Sequence, residues 1–178
     1  MKLYLTRHGE TDWNKQLIIQ GIIDNPLNQN GITQAQTLQE FFANKELDLI
    51  ISSSLSRAIE TATIATNTAP DIIDDRFIER NFGFFEGKDV SLFYETPDKS
   101  IYDDFEQDEM IVERVKQGLN EYSRTDNNTI AIFAHSHVLK AALSFIEPDN
   151  FNFSSKIKNC AIVELDVADG QINLVDIH

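Results

Sequence analysis

Apolar and polar positions along this chain switch repeatedly between two spacings. Leu3, Tyr4 and Leu5 form a short apolar run bounded by Lys2 and Thr6-Arg7, which predicts a buried first strand over residues 2–7. After Asn28, a good N-cap, Ile32, Ala35, Leu38 and Phe42 recur three and four residues apart and predict a helix ending near Asn44. Residues 47–52 read as a short buried strand. Ser53 or Ser54 can then cap a helix that carries Leu55, Ala58, Ile59 and Ala62, with Arg57 in its first turn. Residues 71–74 suit another short strand. From Arg76 to about Glu106 the periodicity is lost, with Gly83, Gly87 and Pro97 as breakers. A loop of that length inside a compact domain is usually functional. Ile111, Val115, Leu119 and Tyr122 then share one face of a helix over residues 107–123. A strand over residues 129–134 stops at His135, and a helix from Ser136 to Ile146 is closed by Pro148. Ala161, Val163, Leu165 and Val167 alternate up to Asp169-Gly170, and Ile172 and Leu174 resume beyond it, the signature of a hairpin.

Strands alternating with helices predict an α/β fold, a three-layer α/β/α sandwich with a mostly parallel central sheet. With 178 residues, 42% of them hydrophobic, the chain is expected to form one domain over residues 1–178 with a sizeable core. A single cysteine, Cys160, leaves no internal disulfide framework and suits a reducing compartment. Three apolar residues between Lys2 and Thr6 are too few for a secretory signal, and no apolar run reaches membrane-spanning length, so a cytoplasmic protein without membrane association is expected. The net charge of −14 argues against a nucleic-acid partner. A small anionic substrate would need positive charge concentrated locally in a pocket. The charge is uneven: between Glu95 and Glu113 there are eight acids and one base, Lys99. The sequence assigns no oligomeric state.

The candidate chemistry lies at predicted strand ends. Arg7-His8-Gly9 closes the first strand, offering a cation for an anion, an imidazole for nucleophilic or proton-transfer work, and a glycine that lets backbone approach closely. His135 closes a later strand, Arg57 opens a helix where its charge opposes the helix dipole, and Glu79 lies in the long loop. Strand ends of a parallel sheet share one rim, so these groups can converge on a phosphoryl-sized anion. No glycine-rich phosphate loop is present. His135 also permits a core histidine, Glu79 a surface acid, Arg57 a solvated side chain, and His135-x-His137 half of a metal site.

Four blocks carry a resemblance. They are Thr6-Arg7-His8-Gly9-Glu10-Thr11-Asp12-Trp13-Asn14, continued by Gln20-Gly21, Pro26-Leu27, Gly31 and Gln34-Ala35; Ser52-Ser53-Ser54-Leu55-Ser56-Arg57-Ala58 with Thr61-Ala62; Glu79-Arg80-Asn81-Phe82-Gly83 with Glu86-Gly87; and Ile132-Phe133-Ala134-His135-Ser136. In that order, over about residues 2–145, the chain resembles the histidine phosphatase superfamily, also called phosphoglycerate-mutase-like. The resemblance implies a histidine-type acid phosphatase that hydrolyses small phosphomonoesters through a phosphohistidine on His8. It implies Glu79 as proton donor, Arg7, Arg57 and His135 as phosphate ligands, and Asn14, Gln20 and the Gly21 backbone as substrate contacts. It implies no metal and no cofactor, with a small phosphorylated metabolite as partner.

The chain departs from that pattern in several places. Ser136 and His137 stand where the family usually has glycine, Ile18 where many of its phosphatases carry arginine, and Ser54 where proline is common. Phe82 and Val90 take the places of the tyrosine and lysine with which mutases grip phosphoglycerate, and the acidic stretch from Glu95 replaces a basic insertion. These differences favour hydrolysis. A cofactor-dependent phosphoglycerate mutase and a catalytically silent phospho-ligand-binding member are the alternatives. The segment from Phe84 to Glu109 is expected to form part of the pocket lid, its acids selecting against extra negative charge on the substrate or favouring a cationic one.

Overall fold

The computed structural model describes residues 1–178 and opens on a central six-stranded sheet. Its strands are β1 (Lys2–Arg7), β2 (Leu49–Ser52), β3 (Ile72–Ile73), β4 (Thr129–Ala134), β5 (Ile162–Ala168) and β6 (Gln171–Ile177), in the order β3-β2-β4-β1-β5-β6. The first four are mutually parallel, and β5 and β6 add an antiparallel edge. Side-chain alternation splits the core between the two faces. Leu3, Leu5, Ile130 and Ile132 face α5 (Asp108–Tyr122) and α6 (Ser136–Ile146), whereas Tyr4, Ala131 and Phe133 face α2 (Gln29–Phe42) and α3 (Ser56–Thr66). This is the expected three-layer α/β/α sandwich. No helix is long and apolar enough to cross a membrane.

Most elements lie where the periodicity places them. Asn28 caps α2 by accepting from the Gly31 amide, and Asp169 and Gly170 both adopt positive φ, as the predicted two-residue hairpin requires. Two expectations are corrected, and one element is added. Neither Ser53 nor Ser54 caps α3: its N-cap is Leu55 without a side-chain bond, and the Asp24 carboxylate accepts from the Ser56 amide instead. The Ser53 hydroxyl is engaged with His135. Residues 76–106 are not uniformly irregular, for they contain α4 (Val90–Glu95) and short 3-10 turns at Asp75–Phe77 and Gly83–Phe85. These pieces are too short to show a period, and Ile19, Phe82, Phe85 and Phe105 hold them around a small separate apolar cluster. Finally, α1 (Asp12–Lys15) is a single turn that hydrophobic spacing did not signal, closed by reciprocal bonds between Thr11 and Asn14.

Two glycines let α2 seat the loop that follows β1. A Cβ on Gly9 would lie 2.5 Å from the Gly31 carbonyl oxygen, and one on Gly31 would lie 2.1 Å from the Glu10 carbonyl oxygen. Both obstacles are backbone. Gly31→Ala is therefore expected to cost about 1–3 kcal/mol through overpacking and to lower Tm by roughly 2–12 °C, which thermal unfolding followed by circular dichroism measures. An unchanged Tm would show that this junction yields.

Candidate active site

Parallel pairing of β1 with β4 puts Arg7 opposite Ala134, so both strands end at one level and release His8 and His135 side by side. The His8 amide donates to the Ala134 carbonyl, and the two imidazole centroids are 5.2 Å apart. Beyond the end of neighbouring β2, the chain supplies Ser53 and, from the first turn of α3, Arg57. Arg7, His8, Asn14, Gln20, Gly21, Arg57 and Glu79 all line one cleft of about 280 Å3. His135 is fully buried beneath it, against His8.

The hydrogen bonds orient these groups. His8 Nδ1 lies 2.6 Å from the Gly9 carbonyl oxygen, which can only accept, so Nδ1 carries the proton and Nε2 keeps a lone pair. Burial, with Arg57 and Arg7 nearby, holds the His8 pKa well below the usual imidazole value. His8 is thus a neutral base. His135 is shifted the same way by burial and the same cations, and its Nε2 is 2.6 Å from Ser53 Oγ. Arg57 donates to the carbonyls of Gly21 and Ile23, the first in a left-handed turn, and burial lowers its pKa to about 10. Arg7 donates to the Ile157 carbonyl. Only five buried side-chain polar atoms in the chain have no hydrogen-bond partner, and three of them, Arg7 Nε, Arg57 Nε and His135 Nδ1, belong to this cluster. The guanidinium groups of Arg7 and Arg57, brought together beside His8, give the cleft the positive charge that an anion needs.

Glu79 enters from the other side. Its Oε1 accepts from the amides of Arg80 and His137, the latter at the N-terminus of α6, while Oε2 has no partner within the protein. Arg114 of α5 braces the segment by donating to the carbonyls of Arg76, Ile78 and Glu79 and pairing with Glu106. Asn14 and Gln20 are tied to each other through Thr11: its amide donates to Asn14 Oδ1 and its hydroxyl to Gln20 Oε1. Asn159, just before β5, donates to the His8 carbonyl and to Asn14 Oδ1.

His135 and His137 diverge. His137 stacks on Phe153, meets Phe82 edge-on and has Nδ1 4.0 Å from Glu79 Oε1. No three His, Cys, Asp or Glu side chains converge as a cation site would require. Of the segment from Phe84 to Glu109, Val90, Phe93 and Tyr94 line the cleft, together with Ile18 and Phe82. The expected selectivity from acids does not, because none of the eight acids between Glu95 and Glu113 lines it. Asp108 and Glu106 instead pair with Arg80 and Arg114, serving as supports. Sequence reasoning missed Lys140 and Asn159 as cleft residues, and Ser53 as the partner of His135. Lys140 was findable, being one helical turn from Ser136 on the same face, whereas nothing periodic marks Asn159.

Three neutral histidines have a consequence for stability. His8, His135 and His137 all have folded pKa values well below 6.5, so the unfolded chain takes up protons first as pH falls. The sign is a loss of stability that begins near pH 6.5 and ends at each folded value, at up to about 1.4 kcal/mol per pH unit for each histidine. Tm is expected to be nearly level from pH 8 to pH 7 and to fall from about pH 6.5 to pH 5, with a gentler slope in His137→Gln. A flat profile would contradict it.

Comparison with known proteins finds similar chains and a matching family. The family model described as histidine phosphatase superfamily (branch 1) matches residues 3–178. The chain is 31% identical over 176 residues to the Bacillus subtilis protein named uncharacterized phosphatase PhoE, covering 97% of this chain and 91% of that one. It is 31% identical over 186 residues to the Proteus mirabilis protein named "Probable phosphoglycerate mutase GpmB", covering 93% and 85%. Among solved structures, YhfR of Bacillus stearothermophilus superposes with a TM-score of 0.85 at 27% identity, covering 97% of this chain and 94% of that one.

Proposed function

The chain belongs to the histidine phosphatase superfamily, and we propose that it is a metal-independent phosphatase that hydrolyses small phosphomonoesters through a phosphohistidine on His8. The observation that carries this reading is the buried, neutral His8 with Nδ1 committed to Gly9, set in one cleft with the guanidinium groups of Arg7 and Arg57 and the carboxyl of Glu79.

The chemistry follows from that geometry. His8 Nε2 attacks phosphorus as the bond to the leaving oxygen breaks, while Glu79 Oε2 delivers a proton to that oxygen. Arg7 and Arg57 neutralise the equatorial oxygens. His135, packed against the His8 ring with its Nε2 2.6 Å from Ser53 Oγ, is the third phosphate ligand of this reading. In the second half, the Glu79 carboxylate takes a proton from water, the hydroxide forms the new P–O bond and the P–N bond breaks. Phosphate leaves, and His8 and Glu79 regain their starting states. Asn14, Gln20 and the turn at Gly21 form the wall beside the phosphoryl group. Hydrolysis is favoured over isomerisation because Phe82 and Val90 give the cleft apolar walls at the places where a mutase has its polar handles.

The test is phosphate release from a panel of phosphomonoesters, with and without excess chelator. Release unaffected by the chelator is expected. Activity lost to the chelator and restored by one cation would overturn the metal-independent chemistry. Interconversion of 2- and 3-phosphoglycerate with a bisphosphate primer and no phosphate release would make the protein a mutase.

A further inference from the structure

Lys140 is the one cation of the cleft that the phosphoryl chemistry does not use. It projects from α6 one turn after Ser136, is only 6% exposed and lines the cleft. Its Nζ makes a single hydrogen bond, to the Phe153 carbonyl at 3.0 Å, and forms no ion pair. Burying an ammonium without a counter-charge is costly, and two of its three protons remain free. Its electrostatic neighbours are Glu79, Arg7 and Arg80, and it acts in turn on His137. It therefore shares the cleft with Glu79 and, on its own helix, with Ser136 and His137.

Charge accounting sharpens the point. The ionic side chains lining the cleft are Arg7, Arg57, Lys140 and Glu79. In the first step Glu79 must be protonated to act as donor, so three cations face a phosphoryl dianion. Asp24 and Glu86 also act on Arg57, whereas the acid that acts on Lys140 is Glu79, so protonation of Glu79 leaves the Lys140 charge unmatched. Low dielectric makes such an imbalance expensive and makes a matching anion correspondingly favourable.

Resting on the phosphatase reading, we infer that Lys140 is a second anion subsite and that the preferred substrates carry a carboxylate, or a comparable anion, on the alcohol portion. The ammonium pairs with that carboxylate while Arg7 and Arg57 hold the phosphoryl group. The two grips together orient the leaving oxygen toward Glu79.

A matched pair of esters tests the assignment: 3-phosphoglycerate and glycerol 3-phosphate, which differ in a carboxylate against a hydroxymethyl group. The wild-type chain is expected to favour 3-phosphoglycerate in kcat/KM for phosphate release by about tenfold to a hundredfold, the worth of a charge-assisted hydrogen bond. Lys140→Met should erase that preference mainly through a larger rise in KM for 3-phosphoglycerate than for glycerol 3-phosphate, and Lys140→Arg should retain it. Thermal unfolding of both variants checks that the fold persists, and should Lys140→Met not fold, Lys140→Gln takes its place. No preference in the wild type, a preference surviving in Lys140→Met, or equal losses on both esters would overturn the subsite. Absence of turnover on every ester would overturn the phosphatase reading instead. The subsite would then be decided by calorimetric binding of the same two esters, where the carboxylate preference must again vanish in Lys140→Met.

Discussion

His8→Ala is expected to reduce hydrolysis of p-nitrophenyl phosphate by about 10^4-fold or more, the scale on which loss of a nucleophile acts in covalent catalysis. The size of the effect comes from what has no substitute. His135, the imidazole packed against His8, is fully buried with Nε2 held at Ser53, so it cannot approach phosphorus as a replacement. The fold should survive, because His8 anchors the strand end through its backbone, the amide to Ala134 and the carbonyl to Asn159, whereas the side chain contributes one bond to Gly9. Binding of inorganic phosphate should also persist, since Arg7, Arg57 and His135 remain. A variant that folds, binds phosphate and fails to turn over isolates the nucleophile. Retention of more than a tenth of the wild-type rate would remove His8 from that role.

Glu79→Gln separates the two halves of the reaction. The amide oxygen can still accept from Arg80 and His137, and the backbone stays braced by Arg114, so the geometry is preserved while the transferable proton is lost. An alkyl phosphomonoester, whose leaving alkoxide needs that proton, should slow by about 10^2–10^4-fold. p-Nitrophenolate leaves without help, so its ester should still phosphorylate His8. Hydrolysis of the phosphohistidine then lacks its base. The expected signature is a burst of about one p-nitrophenolate per enzyme followed by a slow phase, with no burst from the alkyl ester. Equal, small losses on both substrates would place Glu79 outside the proton transfers.

The fold was legible wherever a side-chain pattern was long enough to have a period. The face carrying Ala35, Leu38 and Phe42, the strand ending at His135 and the turn at Asp169-Gly170 all stand where spacing put them. α1 and α4 were not legible, because four and six residues show less than two turns of repeat and are held by caps and by packing around Phe85. In the site, Arg7, His8, Arg57, Glu79 and His135 could be named from four short blocks, and the structure brings them together. Their partners could not be named. The position of Ser53 suggests a cap but its hydroxyl is engaged with His135, and the acids from Glu95 onward suggest a selectivity filter but include the ion-pair partners of Arg80 and Arg114.

By itself the sequence determined the layered α/β architecture, the family and the residues that stand at the strand ends, because period, capping and turn chemistry are local properties of neighbouring residues. Only the tertiary structure decided the protonation of His8, the orientation of Glu79 and the charge that Lys140 adds to the cleft. Those depend on burial and on carbonyls and ions contributed by distant segments, and desolvation is a property of the packed interior that no stretch of chain carries alone.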